Sequence, residues 1–185
     1  MHTALENKLV RLAVAAIVFA AAAAGAPVNV CALLSPDVIH QATNEAATGN
    51  KASTQTVGKV RYAQCFYTLP TFTNSISLTL TSPVGLPRDS ARELWERSFH
   101  QREESEKDGR HKEPEPKGEE EEAAARATPV AGIGDEAFWV HSFVGNLYVR
   151  KGNQFLRISL GGKGTDEERQ ARAKKLATEA LRRLH

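Results

Sequence analysis

The sequence predicts an α+β domain: an antiparallel sheet of about five strands with flanking helices, in the order α-β-β-α-β-β-β-α. Three observations lead there. Apolar residues at helical spacing recur behind Ser35, Ser90 and Thr165. Between them lie short runs rich in β-formers or alternating with period two. Finally, Gly145-Asn146 and Gly152-Asn153 divide the last three of those runs, each able to supply the positive φ of a tight hairpin turn. Elements in this order pack as a sheet with helices on one face or flanking it.

The chain begins with an address. Lys8 and Arg11 precede an apolar run of roughly fifteen residues, Leu12 to Ala26, ending in small side chains. That is the layout of an export signal. Ala22-Ala23-Ala24 and Ala24-Gly25-Ala26 both suit a signal peptidase, and Pro27 disfavours cleavage directly before it, so the bond after Ala24 is preferred. The run is shorter than the ~20 apolar residues of a membrane-spanning helix and is weakly hydrophobic through its alanines. Residues 1–26 therefore read as a signal peptide and 27–185 as one α+β domain. An uncleaved anchor is the alternative, as is a lipid on Cys31, although Val28-Asn29-Val30 is a poor match to a lipidation site.

The first helix follows Ser35, a good N-cap with Pro36 at the first helical position. Val38, Ile39, Ala42 and Ala46 form its stripe, and Gly49-Asn50 is expected to end it. Val60 to Leu69 reads as a strand carrying Cys65. In Ser75 to Thr81, Ile76, Leu78 and Leu80 alternate with Ser77, Thr79 and Thr81, which predicts a core face and a solvated one. Pro83, Gly85 and Pro87 make a turn into a capping box at Ser90 to Glu93, and Ala91, Leu94, Trp95 and Phe99 stripe the second helix.

Residues 102–128 are a charged insertion with almost no large apolar side chain, too polar to offset its own ordering entropy. Order resumes at Pro129. Runs at Phe138 to Phe143, Leu147 to Lys151 and Gln154 to Leu160 form a three-stranded meander, and Leu156, Ile158 and Leu160 give the last one a core face. Thr165 to Glu168 is a second capping box. It opens a long amphipathic helix whose apolar stripe is Ala173, Leu176, Ala177, Ala180, Leu181 and Leu184.

Composition excludes more than it assigns. A net charge of +2 with no basic motif gives no nucleic-acid footprint. Cys31 and Cys65 are the only cysteines, both beyond the signal, and an oxidising compartment favours their pairing. Two free thiols, or a lipidated Cys31 beside a lone Cys65, remain open from the residues alone. The six histidines include no pair at zinc-protease spacing, and no Gly-x-Ser-x-Gly elbow is present. Gly161 to Thr165 sits between strand and helix as a phosphate loop would, but lacks that motif's spacing. No metal and no cofactor are implied. The candidate binding residues are Asp135, in the glycine-flanked turn Gly132 to Phe138, and Trp139, His141 and Tyr148 on the adjoining sheet face. A hydrolase using Asp135, Glu136 and His141 is the enzymatic alternative.

Cys31-Ala32-Leu33-Leu34 with Asp37-Val38, Cys65-Phe66-Tyr67, Gly132 to Phe138 and the Ala-rich final helix recur together in a pattern. This combination resembles a group of small exported bacterial proteins of unknown function, related in shape to PsbP-like and actinobacterial lipoprotein domains. The resemblance implies a compact α+β sandwich with the two cysteines paired, and a binding or assembly role without catalytic residues. The expectation is thus a periplasmic or secreted, non-enzymatic binding or envelope-associated module. Its partner would be a protein or small ligand of the envelope, and it would touch a membrane only through an uncleaved N-terminus.

Overall fold

The computed structural model describes residues 28–87, 90–99, 127–142 and 144–184. The segment read as an export signal and residues 102–126 of the charged insertion lie outside them. The elements are α1 (Pro36–Thr43), β1 (Gly49–Val57), β2 (Val60–Thr68), β3 (Ile76–Pro83), α2 (Ser90–Phe99), β4 (Ala127–Pro129), β5 (Glu136–Val140), β6 (Gly145–Lys151), β7 (Gln154–Leu160) and α3 (Asp166–Arg183). The strands form one antiparallel sheet in the order β1-β2-β3-β7-β6-β5-β4.

The α+β class and the antiparallel sheet stand, but seven strands replace the expected five. β1 pairs along its whole length with β2 although every one of its residues is exposed. A sheet edge can be held by main-chain hydrogen bonds alone, and such a strand leaves no apolar pattern to read. β4 begins at Ala127, inside the stretch assigned to the charged insertion, and is only three residues long. α1 is shorter than expected. It stops at Asn44, which takes the left-handed conformation at φ 60°, and Gly49 opens β1 instead of closing the helix.

One face of the sheet carries the main core. Cys65 and Tyr67 of β2, Leu78 of β3, Ile158 of β7, Leu147 of β6 and Trp139 of β5 all point to it, and α1 and α3 cover it. α3 contributes Ala173, Leu176, Ala177 and Ala180, and its capping box at Thr165 and Glu168 forms as expected. Ser35 caps α1 by accepting from the Val38 amide. The Cys31–Cys65 disulfide joins the short 3-10 turn Val30–Ala32 to β2 over a separation of 34 residues. Beside it the buried Tyr67 hydroxyl donates to the Cys31 carbonyl at 3.1 Å, and burial pushes its pKa up to about 12, so it stays a donor.

The opposite face is covered in part by α2, packed through an aromatic cluster. Trp95 contacts Phe99, Phe138 and Phe155, and Phe99 stacks on Phe138 at 4.8 Å and meets Tyr148 edge-on at 5.3 Å. Ser90 is the first helical residue of α2, not an N-cap. The Ala91 amide is instead capped from outside by the Asn153 side chain at 3.1 Å, from the β6–β7 turn. This covering corrects one expectation directly. The polar side of β3 is not solvated: Thr79 and Thr81 are 7% and 4% exposed.

Candidate functional site

Antiparallel register sets the side chains of the second face in rows. Ser53, Gln64, Thr79, Arg157 and Tyr148 are successive cross-strand partners from β1 to β6. Directly opposed residues have Cβ atoms about 5 Å apart, so this row is a continuous polar track. A parallel row places Gln55, Tyr62, Thr81 and Phe155 beside it. Both rows floor a cleft of about 540 Å3, walled by Leu94, Ser98 and Phe99 of α2. That volume lies within the range of small-molecule sites.

Two features of this floor are not explained by folding. The Thr79 hydroxyl is buried and has no hydrogen-bond partner among the described residues. Leaving a buried hydroxyl unpaired costs roughly 1–3 kcal/mol. Gln64, next to it, is held by donating to Ser77 at 2.6 Å. The second feature is Arg157, half-buried mid-row, with no carboxylate in ion-pair range among the described residues. Arg150, the other arginine of this face, is occupied: Asp135 lies at 3.6 Å and Glu136 at 3.8 Å.

The four residues expected to share a site do not all come together: Trp139 and His141 meet at the Asp166 carboxylate, apart from Asp135 and Tyr148. Only Tyr148 lines the cleft. Trp139 pairs with Leu147 on the opposite face, fully buried under α3. The reason lies in one turn. A hairpin turning on Gly145-Asn146 would put Trp139, His141 and Tyr148 on one face, but both residues belong to β6, and the chain reverses before Gly145. Gly145 is required there because a Cβ would fall inside the Trp139 indole. A register change by an odd number of residues flips one strand's side chains relative to the other's.

Asp135 works as a clasp on the β6–β7 hairpin. Its carboxylate accepts from the Gly152 amide at 2.7 Å and the Lys151 ammonium at 3.2 Å. The Gly152 bond is the main reason its pKa is lowered, with Lys151 and Arg150 adding to it against the effect of burial. Gly134 beside it has φ 63°, and a Cβ there would meet the Arg150 carbonyl at 2.5 Å, so only glycine fits.

His141 sits at a different corner, against the start of α3. Its Nδ1 lies 2.5 Å from Asp166 Oδ2, and its Nε2 lies 3.1 Å from the Thr128 hydroxyl. Asp166 also accepts from Trp139 Nε1 at 2.8 Å and Arg169 at 2.9 Å. Burial alone would raise the Asp166 pKa, but the bonds from Trp139, Arg169 and His141 outweigh it and hold the carboxyl below its ordinary value. No cluster of metal-ligating side chains occurs among the described residues. The Gly161 to Thr165 loop is spent on packing: its Lys163 and Gly164 carbonyls accept from Arg172 and Arg169.

Thr79, Gln64 and Arg157 were not among the sequence candidates, although the alternation in β3 and β7 already set Thr79 and Arg157 opposite the core residues. The chain matches no family model, no curated protein and no solved structure. The chemistry of the cleft is therefore read from its own residues.

Proposed function

We propose that this is an exported, disulfide-stapled, non-enzymatic binding protein of the cell envelope, periplasmic or secreted, with the cleft under α2 as its ligand site. The observation that carries the binding reading is the buried Thr79 hydroxyl, without a partner among the described residues, on the floor of a 540 Å3 cleft. Native interiors pair such groups, and an unpaired hydroxyl on a residue that lines a cleft suits a site completed by a ligand. Export is supported by the basic and apolar N-terminus and by the Cys31–Cys65 bond, which persists in oxidising compartments. No helix among the described residues is long and apolar enough to cross a membrane. The resemblance of its motifs to small exported bacterial proteins of unknown function supports the export part of this reading.

Mass spectrometry of the protein from its native envelope fraction tests it. Under denaturing conditions the expected mass lacks the N-terminal segment and one hydrogen from each cysteine, with no lipid on Cys31. Under native conditions a fraction carries additional small-molecule mass, lost from a Leu94→Trp variant that fills the cleft. A full-length, reduced chain overturns the export reading, and ligand mass indifferent to Leu94→Trp overturns the site.

One observation favours a second reading. Thr128, His141 and Asp166 stand in the order of nucleophile, base and orienting acid, at 3.1 and 2.5 Å. They lie outside the cleft, and Trp139 and Arg169 also engage the carboxylate, an arrangement suited to a structural clasp. Hydrolysis of p-nitrophenyl acetate that is abolished by His141→Ala, with folding intact, would establish the enzyme instead.

A further inference from the structure

The charge and layout of the cleft define a ligand class, an inference that rests on the binding reading above. We infer that the cleft takes an amphipathic monocarboxylate, its carboxylate on the Arg157 guanidinium and its apolar body against Phe99, Phe155 and Leu94.

Arg157 is the cation available for this. The Arg150 guanidinium on the same face is neutralised by Asp135 and Glu136, whereas no carboxylate reaches Arg157 among the described residues. A half-buried guanidinium is stabilised by an anion, and its planar fork matches the two oxygens of a carboxylate. One guanidinium balances one negative charge. A dianion such as a phosphate monoester would bring a second charge into the cleft without a partner, which is costly.

The neighbours complete the head site. Thr79 is the direct cross-strand partner of Arg157 and lines the cleft with it, so a carboxylate held by Arg157 would lie next to the Thr79 side chain. A small turn of that side chain would bring to the carboxylate a buried hydroxyl that has no partner among the described residues. On the other side of Arg157 the surface becomes apolar. Tyr148 is its cross-strand partner on β6, and Phe155, Phe99 and Leu94 line the cleft with it. Phe99 and Tyr148 are fixed edge-to-face at 5.3 Å, so this wall is formed before a ligand arrives. A polar track ending in a cation and running into an aromatic wall fits a molecule with one anionic end.

The test uses the chain after signal removal, disulfide intact, titrated with decanoate, decanamide and decyl phosphate below their aggregation concentrations. Heat of binding and the fluorescence of Trp95, which contacts Phe99 and Phe155, are the readouts. Decanoate is expected to bind about tenfold or more tightly than decanamide, since a charge-assisted bond adds about 1.5–3 kcal/mol. Arg157→Gln should abolish that difference, Arg157→Lys should restore part of it, and Arg97→Gln on the exposed side of α2 should leave it unchanged. Equal binding of decanoate and decanamide, both lost in Leu94→Trp, overturns the anion proposal and leaves the cleft reading standing. Tighter binding of decyl phosphate than of decanoate overturns the monocarboxylate. Absence of binding by all three probes overturns the proposal, and native mass spectrometry then decides the cleft reading separately.

Discussion

Replacing Thr79 with valine should stabilise the free protein and weaken its ligand binding, two effects of opposite sign from one atom. The side chain keeps its branching, so β3 keeps a residue suited to a strand. What changes is the hydroxyl, buried in the cleft floor without a partner among the described residues. Its removal recovers the desolvation cost of an unpaired polar group, roughly 1–3 kcal/mol, and adds a buried methyl. A net gain of about 1–2 kcal/mol raises Tm by about 3–6 °C for a domain of this size. Ligand binding should suffer, because a hydrogen bond to a charged carboxylate contributes about 1.5–3 kcal/mol, or about tenfold or more in Kd. Thermal unfolding followed by circular dichroism reads both. Decanoate at a hundred times its Kd should raise wild-type stability by about 2.7 kcal/mol, and the same concentration should raise the variant less. A Tm lowered by about 3 °C or more in the free variant would refute the reasoning, because the hydroxyl would then already be productively bonded without ligand.

Converting both cysteines to alanine should cost about 4 kcal/mol in the chain-entropy treatment of a 34-residue separation, lowering Tm by about 8–15 °C; reduction of the wild type should reproduce it. Asp166→Ala should destabilise by about 1–3 kcal/mol in denaturant melts, because the buried Trp139 Nε1 loses its acceptor. The lowered pKa of Asp166 means that the stability it contributes is present above the unfolded carboxylate range near pH 4 and is lost as pH falls through its folded pKa. Acid titration of stability should accordingly show a steeper loss below about pH 4 in wild type than in Asp166→Asn. Gly134→Ala should lower stability by more than 1 kcal/mol, about the usual glycine-to-alanine backbone effect, since the added Cβ meets the Arg150 carbonyl.

The sequence carried the core face well and the site poorly, for definite reasons. Ile76, Leu78 and Leu80 alternate with Ser77, Thr79 and Thr81, and Leu156, Ile158 and Leu160 with Phe155, Arg157 and Ser159, so the composition of both faces was readable. What was not readable was that α2 lies over the polar side. An apolar stripe such as Ala91, Leu94, Trp95 and Phe99 states that a helix is covered, but not by which surface. β1 was invisible because its nine residues bury nothing. Gly145-Asn146 resembles a turn that would set Trp139 and Tyr148 on one face, yet Gly145 is glycine to make room for an indole. A motif for conformation and a motif for close approach look alike in a sequence. They differ here by one face of the sheet.

The two faces also divide the work of stability and function. α1 and α3 bury aliphatic side chains against one face, and the Cys31–Cys65 bond ties the chain before α1 to the same side. With that core complete, the second face can carry a buried hydroxyl and a guanidinium that lack partners among the described residues without unfolding the domain. α2 depends on fewer contacts, chiefly ring pairs that contribute about 0.5–1.5 kcal/mol each beyond their buried area. A ligand seated between Arg157 on β7 and Phe99 on α2 would join the helix to the sheet, adding its affinity to the packing of α2. Protection of α2 amides from hydrogen exchange should therefore rise on decanoate binding, while that of α3 stays unchanged, and equal protection of both helices would place the ligand elsewhere.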